Sequence, residues 1–377
     1  MIDKNELFFV VLISLIVQVN LFFFIKFLRK KGIKSNYFAK QKIHEGEVPR
    51  VGGLLFLSSF FVTFIFMKIS YLSLILPLLI GSLIIFLFSF YEDLKQSLSP
   101  YFRLSILFVG SFVFVFFSKL PDINISLLQL IKDYEIIKVL LFILSLMLLM
   151  NGFNFIDGLN GLSSFNFISI MSSILYIGYS YNDDFIVKLS TFIIVIAFFM
   201  FLLNFPFGKI FLGDSGSYVY ALFSGALIIY LFERHSQLPT LLAMVILSYP
   251  ITEMLFSIFR KIYLKYSPLK PDVNHLHHLV FKKLKGNLKT RNNIASLIML
   301  PFCIMPFVLT YFSINYNLSD KTNHLKIFFA NIDLHNFFYL VRTVTAYWKD
   351  LKDRLSRRSH LCDNLEPVSL NLWDRSP

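Results

Sequence analysis

Five polar clusters interrupt a chain that is otherwise strongly apolar, and their side chains are the kind that handle phosphate groups. Glu92-Asp93 is a pair of adjacent carboxylates, which repel each other unless a cation or proton intervenes. That suits a divalent metal or a general base, although a solvated helix end is the plain alternative. In Asn151-Gly-Phe-Asn154-Phe-Ile-Asp157-Gly-Leu-Asn160-Gly161, Asn154 and Asp157 are three apart and share a face on a helix. Its glycines allow close backbone approach or break a helix, and a helix cap would use the same residues. Lys209-Ile-Phe-Leu-Gly213-Asp214-Ser215-Gly216-Ser217 leads straight into an apolar run. Free amides at such a helix start make an anion site, and an Asp beside it can hold Mg²⁺, whose remaining positions take phosphate oxygens. An Asp or Ser N-cap is the competing reading there. Asp272-Val-Asn-His275-Leu-His277-His278 admits zinc, but no cysteine or spaced partner histidine lies nearby, and the surrounding lysines favour an anion. A chance histidine cluster on a wet loop is the alternative. The fifth cluster runs from Lys40 through His44 to Pro49-Arg50.

The elements that must position these residues are membrane helices. A helix needs roughly 20 apolar residues to cross the hydrocarbon core. Candidate spans are about 7–28, 51–69, 72–90, 104–118, 138–156, 162–180, 185–203, 216–232, 239–262 and 294–313. Two spans separate each cluster from the next, so all five clusters face one aqueous side. An Asp at mid-membrane costs about 2.5–3.5 kcal/mol, against a return of about 0.3–0.6 from a Leu or Phe. Asp93, Asp157 and Asp214 avoid most of that cost by lying at span ends. The fold class expected is all-α, a polytopic transmembrane bundle of about ten spans, or eleven if 324–341 also crosses.

Composition agrees. The chain has 377 residues, 56% hydrophobic and 16% charged, well under the quarter charged that is typical of soluble domains. The connectors 26–50 and 260–291 are strongly basic, which places them in the cytoplasm and the N-terminus outside. The net charge of +13 follows from such loops, and it equally suits anionic lipid heads or a nucleotide diphosphate. Cys303 and Cys362 form no metal-like pair, and Cys303 reads as a small buried hydrophobe. The first apolar stretch is too long for a signal-peptide core and is expected to be retained. Composition shifts near 315, which divides the chain into an integral-membrane domain over 1–314 and a polar tail over 315–377.

At these clusters the chain resembles the polyprenyl-phosphate N-acetylhexosamine-1-phosphate transferases of bacterial envelope synthesis, over roughly 40–290. His44-x4-Pro49-Arg50-x-Gly52-Gly53 and Glu92-Asp93-x5-Ser99-Pro100-x2-Arg103 are similar to the family's first two cytoplasmic loops. Asn154-Phe-Ile-Asp157-Gly-Leu-Asn160-Gly161 and the segment Lys209 to Ser217 match its most recognisable motifs. Asp272-x2-His275-Leu-His277-His278 looks like the version in its N-acetylglucosamine and N-acetylgalactosamine branches. The resemblance implies transfer of a sugar-1-phosphate from a UDP-N-acetylhexosamine to undecaprenyl phosphate, releasing UMP, with Mg²⁺ required and Mn²⁺ a substitute. It implies Asp214 as principal Mg²⁺ ligand, Asp93 with Glu92 at the lipid phosphate, and Asp157 as an organiser of the site. His275, His277 and His278 would take the diphosphate or sugar, and Asn160 aligns with a carboxylate that contacts uracil. His44, Arg50, Arg103, Asn154 and Lys209 complete the substrate-binding set. Glu92 and Asn160 stand where the family usually has Asp.

The implied setting is the bacterial cytoplasmic (inner) membrane, with the active site on the cytoplasmic face and a product destined for lipopolysaccharide or cell wall. Partners would be the two substrates and membrane lipids, with room for a homodimer and no nucleic acid. The rival from outside enzymology is a transporter of a lipid-linked or anionic solute, which would place charges near the midplane in broken helices. An intramembrane aspartyl protease fits less well, because Phe211 occupies the first glycine position of its Gly-x-Gly-Asp signature.

Overall fold

The computed structural model describes residues 4–30, 48–64, 71–95, 98–123, 134–263, 265 and 275–315. His44, Asp272, Cys362, the stretch 324–341 and all of the tail beyond 315 lie outside the described residues. Among the described residues there is no strand, as expected of apolar segments whose backbone groups must all pair internally in lipid. In chain order the helices are α1 (Lys4–Lys30), α2 (Gly52–Thr63), α3 (Leu72–Lys95), α4 (Pro100–Phe117), α5 (Glu135–Ile156) and α6 (Leu162–Ser180). They continue with α7 (Asp184–Asn204), α8 (Gly213–Arg234), α9 (Leu241–Ile246), α10 (Ser248–Tyr263), α11 (Leu276–Lys283) and α12 (Leu288–Asn315). Eight of these are long and apolar enough to cross a membrane: all but α2, α9, α10 and α11.

The bundle is built around α8. Its sequence is rich in Gly, Ala and Ser, and its apolar window is wholly buried, in contact with α2, α3, α5, α6 and α7. Small residues let helices approach closely where lipid supplies no hydrophobic drive between them. Two of its buried hydroxyls are satisfied within the helix: Ser217 donates to the Gly213 carbonyl at 2.8 Å and Ser224 to the Tyr220 carbonyl at 2.8 Å. At the opposite extreme, α1 leaves Phe8, Phe23 and Phe24 exposed for lipid. It is fastened to α7 by the Glu6–Lys188 ion pair at 2.7 Å and by Gln18, which donates to the Ile196 carbonyl at 3.0 Å.

Two expected spans differ from the observed elements. The stretch 239–262 is broken at Leu247, and only α10 follows the break, with Pro250 in its first turn. α10 turns Glu253, Ser257 and Lys261 inward and leaves Leu255, Phe259 and Ile262 exposed. It therefore behaves as an amphipathic helix with its polar face on the protein. The stretch 51–69 contains the 12-residue α2, with 65–70 outside the described residues. Cys303 is buried, as a small hydrophobe should be.

Candidate active site

Gly213 opens α8 in the left-handed region at φ 77°, a conformation that favours glycine. The turn aims two successive amides at α3. Asp93, at the end of α3 and fully buried, accepts the Asp214 amide on Oδ1 and the Ser215 amide on Oδ2, both at 2.9 Å. A carboxylate there satisfies amides that have no partner within the helix and meets the positive end of its dipole. Both oxygens of Asp93 are therefore engaged by α8.

Asp214, next in the turn, remains partly exposed. Its Oδ1 accepts from Asn154 Nδ2 at 2.9 Å, and its Oδ2 lies 3.7 Å from Arg103 Nη1. Arg103 also sits 4.0 Å from Glu92 Oε1, while Glu92 Oε2 accepts the Leu98 amide at 2.8 Å. Ser99 caps α4 by accepting the Phe102 amide at 3.2 Å, and Pro100 opens the helix that carries Arg103. A narrow cleft between α3, α4 and α8 is lined by the charged Glu92, Arg103 and Asp214 and by the apolar Phe88, Leu98 and Ile106.

Asp157 follows the last residue of α5 and is half-buried. Burial pushes its carboxyl up to about 7, the nearby Asp214 adds to this, and Arg50 opposes it. Arg50 is placed by backbone pairing: the Phe211 amide donates to the Pro49 carbonyl at 2.9 Å, and the Gly52 amide donates to the Phe211 carbonyl at 3.0 Å. The first and fourth clusters are thereby joined.

The histidines are buried and open α11, unlike a chance cluster on a wet loop. His277 and His278 have ring centroids 4.2 Å apart, and both lie against Gly158, where a side-chain carbon would collide with His277 Nε2. Burial holds the His277 imidazole well below the usual histidine range, with His278 and His275 adding to the effect. Neither ring nitrogen of His277 has a hydrogen-bond partner among the described residues.

Arg50, Glu92, Asp93, Arg103, Asn154, Asp157, Asp214 and the three histidines thus gather where the ends of α3 and α5 meet the starts of α4, α8 and α11. Two expected site residues make their contacts elsewhere. Asn160 is buried and tied to α12: its amide donates to Asn292 Oδ1 at 2.8 Å, its Nδ2 to Asn293 Oδ1 at 3.1 Å, and its carbonyl accepts from Ser296 at 2.7 Å. Lys209 is exposed and holds its ammonium 5.0 Å from the centre of the Phe207 ring. Sequence reasoning overlooked Glu253, buried on α10 beside His275. The signal was available, since it is a lone carboxylate in an apolar stretch, where an unpaired charge is costly.

Among the described residues no three Asp, Glu, His or Cys side chains converge as a ready-made metal cage. The donors on hand, Asp214, Asp157 and the Asn154 amide, are hard oxygens, and two of them are carboxylates that repel each other. That set fits Mg²⁺, which is usually held by one or two carboxylates with water and substrate phosphate completing its shell.

The model of the glycosyl transferase family 4 matches residues 75–232. The chain is 30% identical over 265 residues to the undecaprenyl-phosphate alpha-N-acetylglucosaminyl 1-phosphate transferase of Thermotoga maritima, covering 70% of this chain and 77% of that one. It is 27% identical over 247 residues to a Bacillus subtilis protein named "Probable undecaprenyl-phosphate N-acetylglucosaminyl 1-phosphate transferase", covering 64% of this chain and 67% of that one.

Proposed function

The chain belongs to glycosyl transferase family 4, and we propose that it transfers a sugar-1-phosphate from a UDP-N-acetylhexosamine to undecaprenyl phosphate, releasing UMP. The observation that carries this reading is the meeting of Asp214, Asp157, Arg103 and the three histidines at one end of a membrane bundle, beside a partly apolar cleft. A soluble anionic donor and a lipid acceptor need that combination.

In the reaction, an oxygen of the lipid phosphate bonds to the sugar-bearing phosphorus of the donor. The bond from that phosphorus to the UMP oxygen breaks, and the electron pair leaves with UMP. No proton has to be removed first, because a phosphate monoester is already largely ionised near neutral pH. The difficulty is the crowding of negative charge, so catalysis rests on positioning and electrostatics. Mg²⁺ bound at Asp214 and Asp157, with Asn154 alongside, would supply Lewis-acid neutralisation of the phosphate oxygens. Arg103, which lines the cleft together with apolar Phe88 and Ile106, takes the acceptor phosphate. The histidines and Arg50 serve the donor diphosphate. Asp93 acts through α8, holding Asp214 where the substrates meet. The basic connectors support a cytoplasmic position for this end of the bundle, on the side where nucleotide sugars are made.

The test is purified protein with undecaprenyl phosphate, Mg²⁺ and a panel of UDP-sugars. UMP and a lipid-linked sugar are expected with at least one UDP-N-acetylhexosamine, and Asp214→Ala should lower kcat by about 100-fold or more. Turnover that survives both Asp214→Ala and removal of divalent metal would sink the metal assignment. No lipid product from any UDP-sugar would sink the donor class.

A further inference from the structure

Glu253 is a buried carboxylate on the inward face of α10, 22 residues from the histidine it meets. Its two oxygens have separate tasks. Oε2 lies 3.2 Å from His275 Nδ1, and Oε1 accepts the Leu276 amide at 3.1 Å. Leu276 is the first residue of α11 and His275 is its N-cap, so one side chain fixes both the cap residue and the first free amide of that helix. His275 is buried, with its ring 4.7 Å from Phe155 and nearly parallel to that of His277, 5.8 Å away with 5° between planes.

A carboxylate that takes Nδ1–H decides the tautomer of the imidazole and leaves Nε2 as the ring's remaining polar atom. It also stabilises the imidazolium once the ring meets a negative charge. We infer that Glu253 is a positioning residue for the donor: it locks His275 so that Nε2 is reserved for the donor diphosphate, and it anchors the start of the helix that carries His277 and His278. The inference rests on the functional reading above and adds to it a residue that never touches substrate.

The experiment measures steady-state kinetics for both substrates in the wild type, Glu253→Gln, Glu253→Asp, His275→Asn and the Glu253→Gln/His275→Asn double variant. Glu253→Gln keeps the size but offers one acceptor where two are used. It should lower kcat/KM for the UDP-sugar by about 10- to 100-fold, the usual effect of losing such a supporting partner. KM for undecaprenyl phosphate should stay within about twofold, and Glu253→Asp should recover part of the loss, because both acceptor oxygens are restored. In the His275→Asn background the Glu253→Gln effect should shrink to about twofold or less, as coupled residues require. An unchanged Glu253→Gln enzyme, equal losses on both substrates, or full additivity with His275→Asn would each overturn the inference. Histidine ¹⁵N resonances read the same bond without turnover. A protonated Nδ1 at His275 that is lost in Glu253→Gln supports the positioning role even if no UDP-sugar is accepted; an unchanged spectrum counts against it. Failure of the transferase reading and failure of this inference are thereby told apart.

Discussion

Asp93 and Asp214 sit at one helix start yet have opposite exposures, and the difference assigns them different work. Both oxygens of Asp93 hold α8 amides, whereas Asp214 reaches a partly open site. Asp93→Asn should therefore act first on structure, since an amide nitrogen would face one of the two N–H groups and leave it unpaired. A loss of about 1–3 kcal/mol is expected, visible as a lower Tm in detergent together with reduced UMP release. A variant with wild-type Tm and no turnover would show instead that Asp93 meets substrate. Gly213→Ala strikes the same joint from the other side. Its φ of 77° and a Cβ only 2.7 Å from Asp93 Oδ2 leave no room for the methyl group. The left-handed backbone alone costs about 1–2 kcal/mol, so both Tm and kcat should fall; an unaltered enzyme would contradict the packing described. The sequence singled out Asn154 and Asp214 because each lies in a dense polar motif, but only the fold joins them across 60 residues. Glu253 stood alone among apolar neighbours, and only the fold brings it to His275.

At the level of the helices, composition exposed the eight long spans because their backbone groups must pair internally and their faces meet lipid. It misread 239–262, where mean hydropathy hides a face pattern and the inward side is the polar one. The turn between α6 and α7 shows a second use of a buried carboxylate. Asp183 caps α7 by accepting the Phe185 and Ile186 amides at 3.1 and 3.2 Å. It also accepts from Arg234 Nε at 2.6 Å and lies 2.9 Å from His235 Nε2, which pins the end of α8. Burial alone would raise the Asp183 carboxyl, but the Arg234 and amide hydrogen bonds outweigh it and hold the group below its ordinary value of 3.8. Because the folded value lies below the unfolded one, the stabilisation is fully present above the unfolded value and is lost as pH falls through the folded one. Asp183→Asn should cost about 1.5–3 kcal/mol near neutrality, the range for hydrogen bonds to charged groups. The gap in Tm between the two proteins should close as the medium is acidified below about pH 4. A gap that persists unchanged into strong acid would show that the carboxylate charge is not what holds this corner.

At the scale of the molecule, the helix directions separate two polar ends with different purposes. α6 leaves the Asp157–Gly161 turn and reaches Asp183, α7 returns to Asn204, and α8 runs from Asp214 back to Arg234. At one end Asp183, Arg234 and His235 are paired with one another, while the Asp214 end includes the ring of His277, whose nitrogens have no hydrogen-bond partner among the described residues, and the partly open Asp214 carboxylate. A transporter would need charged groups near the midplane, and the titratable groups of the candidate site gather at one end instead. Sidedness is therefore the property on which the functional reading depends, because a UDP-sugar is available only in the cytoplasm. The proposed inward orientation of the Asp214 end rests on the basic connectors. Single cysteines placed in a Cys362→Ser background test this directly, since Cys303 is buried. In right-side-out vesicles a membrane-impermeant thiol reagent should label Gln237→Cys, in the exposed turn after α8, and spare Lys285→Cys, in the exposed turn before α12. Inverted vesicles should reverse the pattern. Labelling of Lys285→Cys from outside would put the catalytic end on the wrong side of the membrane for its donor, and the transferase reading would lose its substrate supply.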